Sequence, residues 1–387
     1  MSPVELAAVL AAAVLLASIV SVELGVTVAL LELSLGVILG NVFELRSEQW
    51  LDFIAAFASI VLTFLAGMEV DPAYMRRRLE ASVGIGIASF AGPFAVASLV
   101  SYFLLDWTLK ASLIAGTALS TTSLAVVYAV LVERGLTDLA IGKLLMSATF
   151  VTDLCTAVAL SAIFIKPNLW FPVFLGVSIA LIVALPRLAR PFFARYGDRV
   201  IEPEIKLVFV CLLGLMVLAD LSHGHAVLPA FVLGLVMSRH YQEHREEQKR
   251  LRVVAFAFLT PFFFLKGGLN VSLSAVFANL GLLVALLAMK MVPKVAFILP
   301  LARRWAPRHA TFTTLLMSTG LTFGTISSLY GLNAGIIDQT QFSLLVTVVV
   351  LSAVVPTAIA ERWFLPDQRP EAHDVERPPP VPAEEFV

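Results

Sequence analysis

The sequence predicts an all-α polytopic membrane protein of about 13 transmembrane helices. Composition is the first reason: hydrophobic residues make up 59% of the 387 residues and charged residues 14%, and the mean hydropathy is +0.90. Ordinary globular domains carry about 25% charged residues. The second reason is that apolar stretches of about 20 residues, the length that crosses a bilayer core, recur along the chain. The third is that basic residues are concentrated in alternate loops.

Hydropathy divides the chain into thirteen apolar segments. The first lacks a basic flank and is followed by Glu23 instead of a small-residue cleavage site, so it is predicted to be a membrane span and not a removable signal. The predicted segments are approximately 3–20, 24–43, 50–69, 82–105, 111–132, 139–165, 169–186, 204–221, 225–238, 253–269, 275–301, 311–330 and 341–361.

The distribution of basic residues predicts the orientation. Five alternate loops hold 18 of the 27 Lys and Arg residues, and the loops between them hold only Arg46, Lys110 and Lys166. Because cytoplasmic loops carry the excess of basic residues, the N-terminus is predicted outside and the C-terminus in the cytoplasm. The five basic loops are 70–81, 133–143, 187–206, 239–252 and 302–310.

Composition also predicts the domain limits and argues against some classes of partner. Residues 1–365 are predicted to form one transmembrane domain, followed by a Pro- and Glu-rich tail, 366–387, that is predicted to be disordered. A net charge of −1 lacks the excess of basic residues that is typical of nucleic-acid-binding proteins. Cys155 and Cys211 lie inside apolar stretches, which argues against a disulfide framework, and no metal-ligand spacing predicts a cofactor.

Asp153 is the first candidate functional residue. It lies within a 22-residue stretch, 144–165, that carries no other charge. A carboxylate at that depth costs at least ~2.5–3.5 kcal/mol, so an ionisable group there is a candidate for handling protons or cations. Thr149, Thr152 and Thr156 give Asp153 a hydroxylated helix face. The alternative is an aspartate that a neighbouring helix neutralises and that serves packing only.

Two segments combine helix-breaking and hydroxyl residues. The fifth contains four consecutive hydroxyls, Ser120–Ser123, and the twelfth contains two glycines and four hydroxyls within Ser318–Thr325. Both are predicted to be discontinuous helices, which membranes tolerate where the backbone is buried in protein or lines a cavity. Close packing through small residues is the alternative for either segment alone. Because the two are seven segments apart, they predict inverted repeats with a site near the midplane.

The order and spacing of short motifs resemble a known family over residues 1–365. The segments around Asp153 resemble the fifth and sixth helices of the monovalent cation:proton antiporters, in particular the second branch, which includes bacterial sodium/proton exchangers and potassium-efflux proteins. The motifs are ALSTTS (118–123), ERGL (133–136), Gly142, TD (152–153), ELSLGVILG (32–40), FLAGME (64–69), LPAFVLG (228–234) and PFFF (261–264) with GL (268–269).

The resemblance implies a homodimer in which a mobile core domain, holding two crossed broken helices, works against a scaffold domain. It implies that Asp153 binds the ion. The preceding residue is an acid or an amide in the family but Thr152 here, so one carboxylate remains and the simplest cycle is electroneutral. If cation entry also removes a proton from Lys294, the cycle is electrogenic instead. The family's membrane lysine corresponds best to Lys294, with Lys290 as second choice. Lys266 replaces a residue that is usually uncharged in the family, and it is interpreted as a structural ion-pair or interfacial residue.

The predicted function is secondary active antiport, in which protons exchange for monovalent cations, most readily Na⁺ or Li⁺, by alternating access. Such a protein serves pH homeostasis in the plasma (inner) membrane, is not an enzyme and needs no cofactor. Proton and cation would compete for Asp153, with hydroxyl and carbonyl oxygens completing a hard-cation shell. The predicted ion-binding residues are Asp153, Thr152, Thr121, Thr122 and Ser123, and the charge-compensating residues are Lys294 and Lys290.

Several alternatives remain at this point. A K⁺/H⁺ antiporter and a sodium-coupled organic-anion symporter share the expected architecture. A potassium channel needs a carbonyl filter, which this sequence lacks. An intramembrane aspartyl protease needs two mid-membrane aspartates, and only Asp153 qualifies. Of the other membrane acids, Glu69 and Asp220 lie near span ends, where structural or gating roles are expected, and the role of the deeper Glu32 stays open.

Overall fold

The protein is described by a computed structural model. It covers residues 2–24, 28–68, 78–136, 139–164, 168–197, 199–222 and 226–366, and every regular element within these ranges is a helix. Glu69 and nearly all of the predicted tail lie outside the described residues.

Seventeen α-helices occur in the described part of the chain. They are α1 Pro3–Leu24, α2 Val28–Val42, α3 Gln49–Met68, α4 Leu79–Phe103, α5 Leu109–Ser120, α6 Leu124–Glu133, α7 Ala140–Phe164, α8 Phe171–Tyr196, α9 Pro203–Leu221, α10 Val227–Glu243, α11 Arg245–Val254, α12 Thr260–Leu269, α13 Leu273–Ala278, α14 Leu280–Trp305, α15 Ala310–Met317, α16 Thr322–Asn333 and α17 Gln339–Trp363.

The helices account for the thirteen predicted segments. Eight spans in the described residues are long and apolar enough to cross a membrane, one of them the continuous rod Arg245–Leu269, in which a π-helical turn, Ala255–Leu259, joins α11 to α12. The other predicted segments are α2, α9, α10 and two broken helices, α5 with α6 and α15 with α16.

Two predicted loops are largely helical instead. Helix α8 continues through the predicted loop 187–206 as far as Tyr196, and α10 and α11 occupy most of 239–252. Hydropathy detects only the apolar part of a helix. The charged continuations remain helical because Arg, Lys, Glu and Gln have good helix propensities.

The first of two helix bundles contains α2, α3, α10 and α12, and close glycine contacts join these helices. A Cβ on Gly36 of α2 would lie 2.3 Å from the carbonyl oxygen of Leu265 on α12, and a Cβ on Gly67 of α3 would lie 2.1 Å from that of Phe231 on α10. Such contacts let helix backbones approach closely inside a membrane. The first pair joins segments two and ten, and the second joins segments nine and three. If segments one to six correspond to segments eight to thirteen, segment two corresponds to nine and segment three to ten, so the two pairs are equivalent. This equivalence agrees with the predicted inverted repeats.

The second bundle contains the broken helices. Helix α4 packs against α5, α7 and α14, and α15 packs against α14 and α17. Helix α7 contacts α3 and α10 of the first bundle. Asp153 on α7 therefore lies in the second bundle, close to where the two bundles meet.

Candidate ion-binding site at two broken helices

The first helix break is formed by the hydroxyl run of the fifth segment. Helix α5 ends at Ser120, α6 begins at Leu124, and Thr121 between them has an extended backbone (φ −61°, ψ 150°). The Thr121 hydroxyl donates to the Ala118 carbonyl at 3.0 Å. The side chain thereby competes with the helical backbone pattern at the break. The predicted discontinuity of this helix is confirmed.

The second break lies between α15 and α16, at residues 318–321. The hydroxyl of Ser318 donates back to the Thr314 carbonyl at 2.7 Å. A Cβ on Gly320 would lie 2.6 Å from Nζ of Lys290 and 3.1 Å from Oγ1 of Thr121, so the two breaks approach each other closely and leave no room for a side chain at position 320. The predicted crossing of two discontinuous helices is confirmed.

Lys290 of α14 is fully buried at the first break. Its ammonium donates to the carbonyl oxygens of Leu119, at 3.1 Å, and Thr121, at 3.0 Å. The last carbonyls of a helix have no intrahelical donor and together carry about half a negative charge. Lys290 thus satisfies and neutralises the C-terminal end of the half-helix α5.

Lys294, one turn further along α14, neutralises the C-terminal end of the other half-helix, α15. Its ammonium donates to the carbonyl of Met317, the last residue of α15, at 2.9 Å. It also donates to the hydroxyls of Ser89 at 2.7 Å and Thr122 at 3.0 Å. Because Thr122 in turn donates to the Met317 carbonyl at 2.9 Å, this lysine ties α4 and both breaks together. Sequence reasoning missed Ser89, since a serine in an apolar helix is not distinctive.

Asp153 is buried beside this crossing with 1% exposure. Its Oδ1 has no hydrogen-bond partner among the described residues. Asp153 therefore differs from the two lysines, whose hydrogen bonds go to fixed oxygens of the protein.

The predicted hydroxyl ligands have partners of their own. Thr152 donates to the carbonyls of Gly86, at 3.2 Å, and Ala148, at 3.1 Å. The Ser123 hydroxyl accepts from the backbone N–H of Val126 at 3.4 Å, close to the start of α6. Thr121, Thr122, Ser123 and Thr152 are all fully buried around the crossing, and the hydroxyls of the first two donate to backbone carbonyls.

A cavity of about 320 Å³ reaches Asp153. Leu124 and Thr322, the first residues of α6 and α16, also line it. The positive N-terminal ends of both half-helices therefore border the same cavity as the carboxylate. Arg252 and Phe256, which sequence reasoning did not single out, line the cavity from the rod formed by α11 and α12.

A separate charged pair lies in the first bundle. Lys266 of α12 is 4% exposed and donates to Oδ1 of Asp52, in the first turn of α3, at 2.7 Å. Asp52 also accepts a hydrogen bond from the Ser47 hydroxyl at 2.6 Å. These contacts agree with the interpretation of Lys266 as a structural ion-pair residue. Among the described residues, no group of three or more His, Cys, Asp or Glu side chains gathers as a metal site would.

Comparisons with known proteins agree with this architecture. The family described as "Sodium/hydrogen exchanger, transmembrane" matches residues 9–364. "Probable Na(+)/H(+) antiporter 3" of Methanocaldococcus jannaschii is 24% identical over 351 residues, which are 85% of this chain and 88% of that protein. "Cation/H(+) antiporter 18" of Arabidopsis thaliana is 26% identical over 86% of this chain, which spans only 44% of that longer protein.

A solved structure shows the same fold. The sodium proton antiporter MjNhaP1 of Methanocaldococcus jannaschii superposes with a TM-score of 0.69 at 13% identity, covering 93% of this chain and 97% of that one. The family match extends over nearly the whole chain and includes both broken helices, both α14 lysines and Asp153. The chain therefore belongs to the sodium/hydrogen exchanger family, a family of membrane cation/proton antiporters.

Proposed function

We propose that this protein exchanges protons for monovalent cations, with Na⁺ or Li⁺ preferred, by alternating access at Asp153. One observation carries the proposal: Asp153 is a buried carboxylate whose Oδ1 lacks a partner, at the wall of a cavity beside two crossed helix breaks. A buried, unpaired carboxylate is costly unless it is protonated or holds a cation. Asp153 thus has two low-energy states, and the passage from one to the other exchanges a proton for a cation.

The lysines support this role by removing competing charges. The C-terminal ends of α5 and α15 would attract a cation, but Lys290 and Lys294 already occupy their carbonyls. The two ammonium groups are thereby committed to the helix ends. Asp153 remains the acid that responds to the entry of a cation.

We propose that Thr121, Thr122, Ser123 and Thr152 act mainly by shaping the breaks. Their hydroxyls form hydrogen bonds with the backbone, and the Thr122 hydroxyl also accepts a hydrogen bond from Lys294. Lone pairs on these oxygens and nearby carbonyls remain available to a hard cation during transport. Oxygen ligands of this kind suit Na⁺ and Li⁺, with K⁺ as the alternative cation.

The proposed orientation opens the cavity toward the cytoplasm. Arg252, in the basic segment 239–252, lines one part of the cavity and Asp153 another. With the N-terminus outside and the tail 366–387 cytoplasmic, the described conformation is inward-facing in the plasma membrane. The transmembrane domain, 1–365, alternates by movement of the second bundle against the first.

We further propose a homodimer. Helices α1 and α8 are the two least buried of the eight apolar spans, so their faces are available to lipid and to a second copy. Native mass spectrometry in detergent should show dimers. A monomer that is fully active at every concentration would contradict the dimer but leave the exchange activity unaffected.

Proteoliposomes with a trapped pH dye test the proposed function. After an imposed pH gradient, pulses of Na⁺ or Li⁺ should release protons at lower concentration than pulses of K⁺. A response to K⁺ at lower concentration than Na⁺ would assign the protein as a K⁺/H⁺ antiporter. Sodium uptake without any proton movement would instead support an organic-anion symporter and overturn the proposal.

A further inference from the structure

A hydrogen bond joins the two bundles at a point away from the site described above. The hydroxyl oxygens of Ser59, on α3 of the first bundle, and Tyr330, on α16 of the second, lie 2.6 Å apart. The Ser59 hydroxyl donates its proton to the carbonyl of Ala56 at 2.7 Å. Because a serine hydroxyl has one proton to donate, Ser59 accepts the hydrogen bond from Tyr330. The tyrosine therefore donates from one bundle to the other.

This hydrogen bond lies next to the cavity. Leu62 and Ala66 of α3 line the cavity, and Ser59 lies on the same face of the helix, one turn before Leu62. On α16, Phe323 lines the cavity, and Tyr330 lies on the same face, two turns further along the helix. Helices α3 and α16 therefore extend together beyond the cavity wall, and the hydrogen bond joins them there.

The hydrogen bond is on the side of the cavity away from Arg252. Lys266 pairs with Asp52 at 2.7 Å, so the C-terminal part of the rod that contains α11 and α12 lies beside the first turn of α3. Arg252 lies about 21 Å before Lys266 along the rod. Ser59 lies between Asp52 and the part of α3 that lines the cavity. In the proposed orientation this is the outer side of the protein.

The bundles also meet through aromatic side chains. Phe231 of α10 stacks on Phe150 of α7, with ring centroids 5.3 Å apart, and meets Phe323 of α16 edge to face at 6.3 Å. Apolar contacts of this kind are not strongly directional, so two such surfaces can shift against each other. A hydrogen bond requires a narrow range of distance and angle. The bond between Tyr330 and Ser59 therefore fixes the position of α16 against α3.

We propose that the hydrogen bond between Tyr330 and Ser59 is a latch that closes the outer side of the protein while the cavity is open to the cytoplasm. When the second bundle moves against the first, α16 separates from α3 and the bond breaks. Tyr330 is therefore a positioning residue, which acts through the ratio of inward-facing to outward-facing molecules and not on the cation. This inference rests on the proposed alternating access at Asp153.

Thiol labelling tests the latch independently of transport. Ile326 lies one turn before Tyr330 on α16 and is 1% exposed, so Ile326→Cys should react slowly with a polar maleimide while the latch is closed. Adding Tyr330→Phe removes the donor and keeps the ring, and the rate at position 326 should rise by about two- to tenfold, the effect of one hydrogen bond. Ser59→Ala should give a similar rise. The experiment uses the purified full-length chain in detergent, and peptide mass spectrometry separates the label at position 326 from that at Cys155 and Cys211.

Three controls separate a latch from general loosening of the structure. Ser328→Ala removes a hydroxyl that donates to the Gly324 carbonyl of its own helix at 2.8 Å, and it should leave the labelling rate unchanged. Tyr128→Cys, at the wall of the open cavity, should not react faster when Tyr330→Phe is added. Tyr330→Phe and Ser59→Ala together should have no more effect than either alone, because both remove the same bond.

The outcomes distinguish the latch from the proposed function. An unchanged rate at position 326 in Tyr330→Phe would overturn the latch, although antiport at Asp153 would stand. Equal acceleration at positions 326 and 128 would also overturn it, because the substitution would then loosen the whole protein. A wild-type chain that exchanges no protons in proteoliposomes would instead contradict the proposed function, whatever the labelling rates are.

Discussion

Within the described residues, buried lysines occur in two regions, and their partners differ in kind. In the first bundle, Lys266 faces the carboxylate of Asp52 at 2.7 Å. At the helix crossing, Lys290 and Lys294 face backbone carbonyls and hydroxyls. The ion pair cancels a full negative charge, whereas the crossing lysines cancel the partial charges of helix ends. The crossing thus leaves the carboxylate of Asp153 uncommitted, and an uncommitted acid can exchange its proton for a cation.

The largest effect is expected from removing the uncommitted acid. Asp153→Asn keeps the shape of the side chain but cannot cycle a proton, so exchange should fall to the level of empty vesicles. The dye response of proteoliposomes measures this. Asp52→Asn, which neutralises the committed acid, is the matched control and should retain exchange. Retention of half the wild-type response in Asp153→Asn would remove Asp153 from the mechanism.

The next largest effect should come from the crossing lysines, and it should be unequal. Lys294→Gln removes three charge-assisted hydrogen bonds to α4 and both breaks, and Lys290→Gln removes two bonds to one break. Such bonds contribute about 1.5–3 kcal/mol each, before compensation by the new amide. We expect a larger drop in melting temperature and in exchange rate for Lys294→Gln, measured by differential scanning fluorimetry and dye quenching.

Equal losses in the two lysine variants would show that the lysines act only through their shared positive charge. That result would contradict the distinction between the two helix ends, because the structure gives Lys294 partners on α4 and both breaks.

The ion pair of the first bundle should affect stability and not exchange. Asp52→Asn leaves the buried ammonium of Lys266 without its counter-charge. Breaking a buried pair from one side costs about 3–5 kcal/mol, and we expect a smaller loss here because Asp52 is 48% exposed. Lys266→Met removes the buried ammonium itself and leaves only the half-exposed Asp52 without its ion-pair partner, so it should be less destabilising than Asp52→Asn. The apparent KM for sodium should stay unchanged in both variants, and a change in KM would place this pair on the ion pathway.

The hydroxyls of the first break should have the smallest effects. Thr122→Val loses a donor to Met317 and an acceptor for Lys294. If the cation-bound state loses up to about 1.4 kcal/mol in consequence, the apparent KM for sodium should rise by up to about tenfold. Ser123→Ala loses only a long 3.4 Å contact and should stay within about twofold of wild type. Sodium titrations in proteoliposomes compare the two, and a greater effect of Ser123→Ala would reverse the ranking.

Much of this architecture is predictable from the sequence because it depends on local chemistry. Apolar length predicts the spans, and the hydroxyl run at 120–123 and the glycines near 320 predict the two breaks. The solitary charge of Asp153 marks the candidate site. Each of these signals lies within a single segment.

The parts that the sequence does not predict depend on contacts between distant segments. Lys290 and Lys294 lie on the same face of α14, one turn apart, and only the crossing decides which half-helix each one neutralises. The partner of Lys266 is a residue more than 200 positions away. The sequence predicts the hydroxyls of Thr122, in the first broken helix, and Thr152, beside Asp153, as ion ligands, and the structure shows the backbone oxygens that engage them.

The pH dependence of sodium transport tests the central claim most directly. If proton and sodium compete for Asp153, the apparent KM for sodium should rise as pH falls, by up to about tenfold per pH unit, while the maximal rate stays constant. Current or dye measurements on proteoliposomes over several pH values give both quantities. A KM that does not change with pH, with a maximal rate that falls instead, would show that protons act elsewhere than at the cation site.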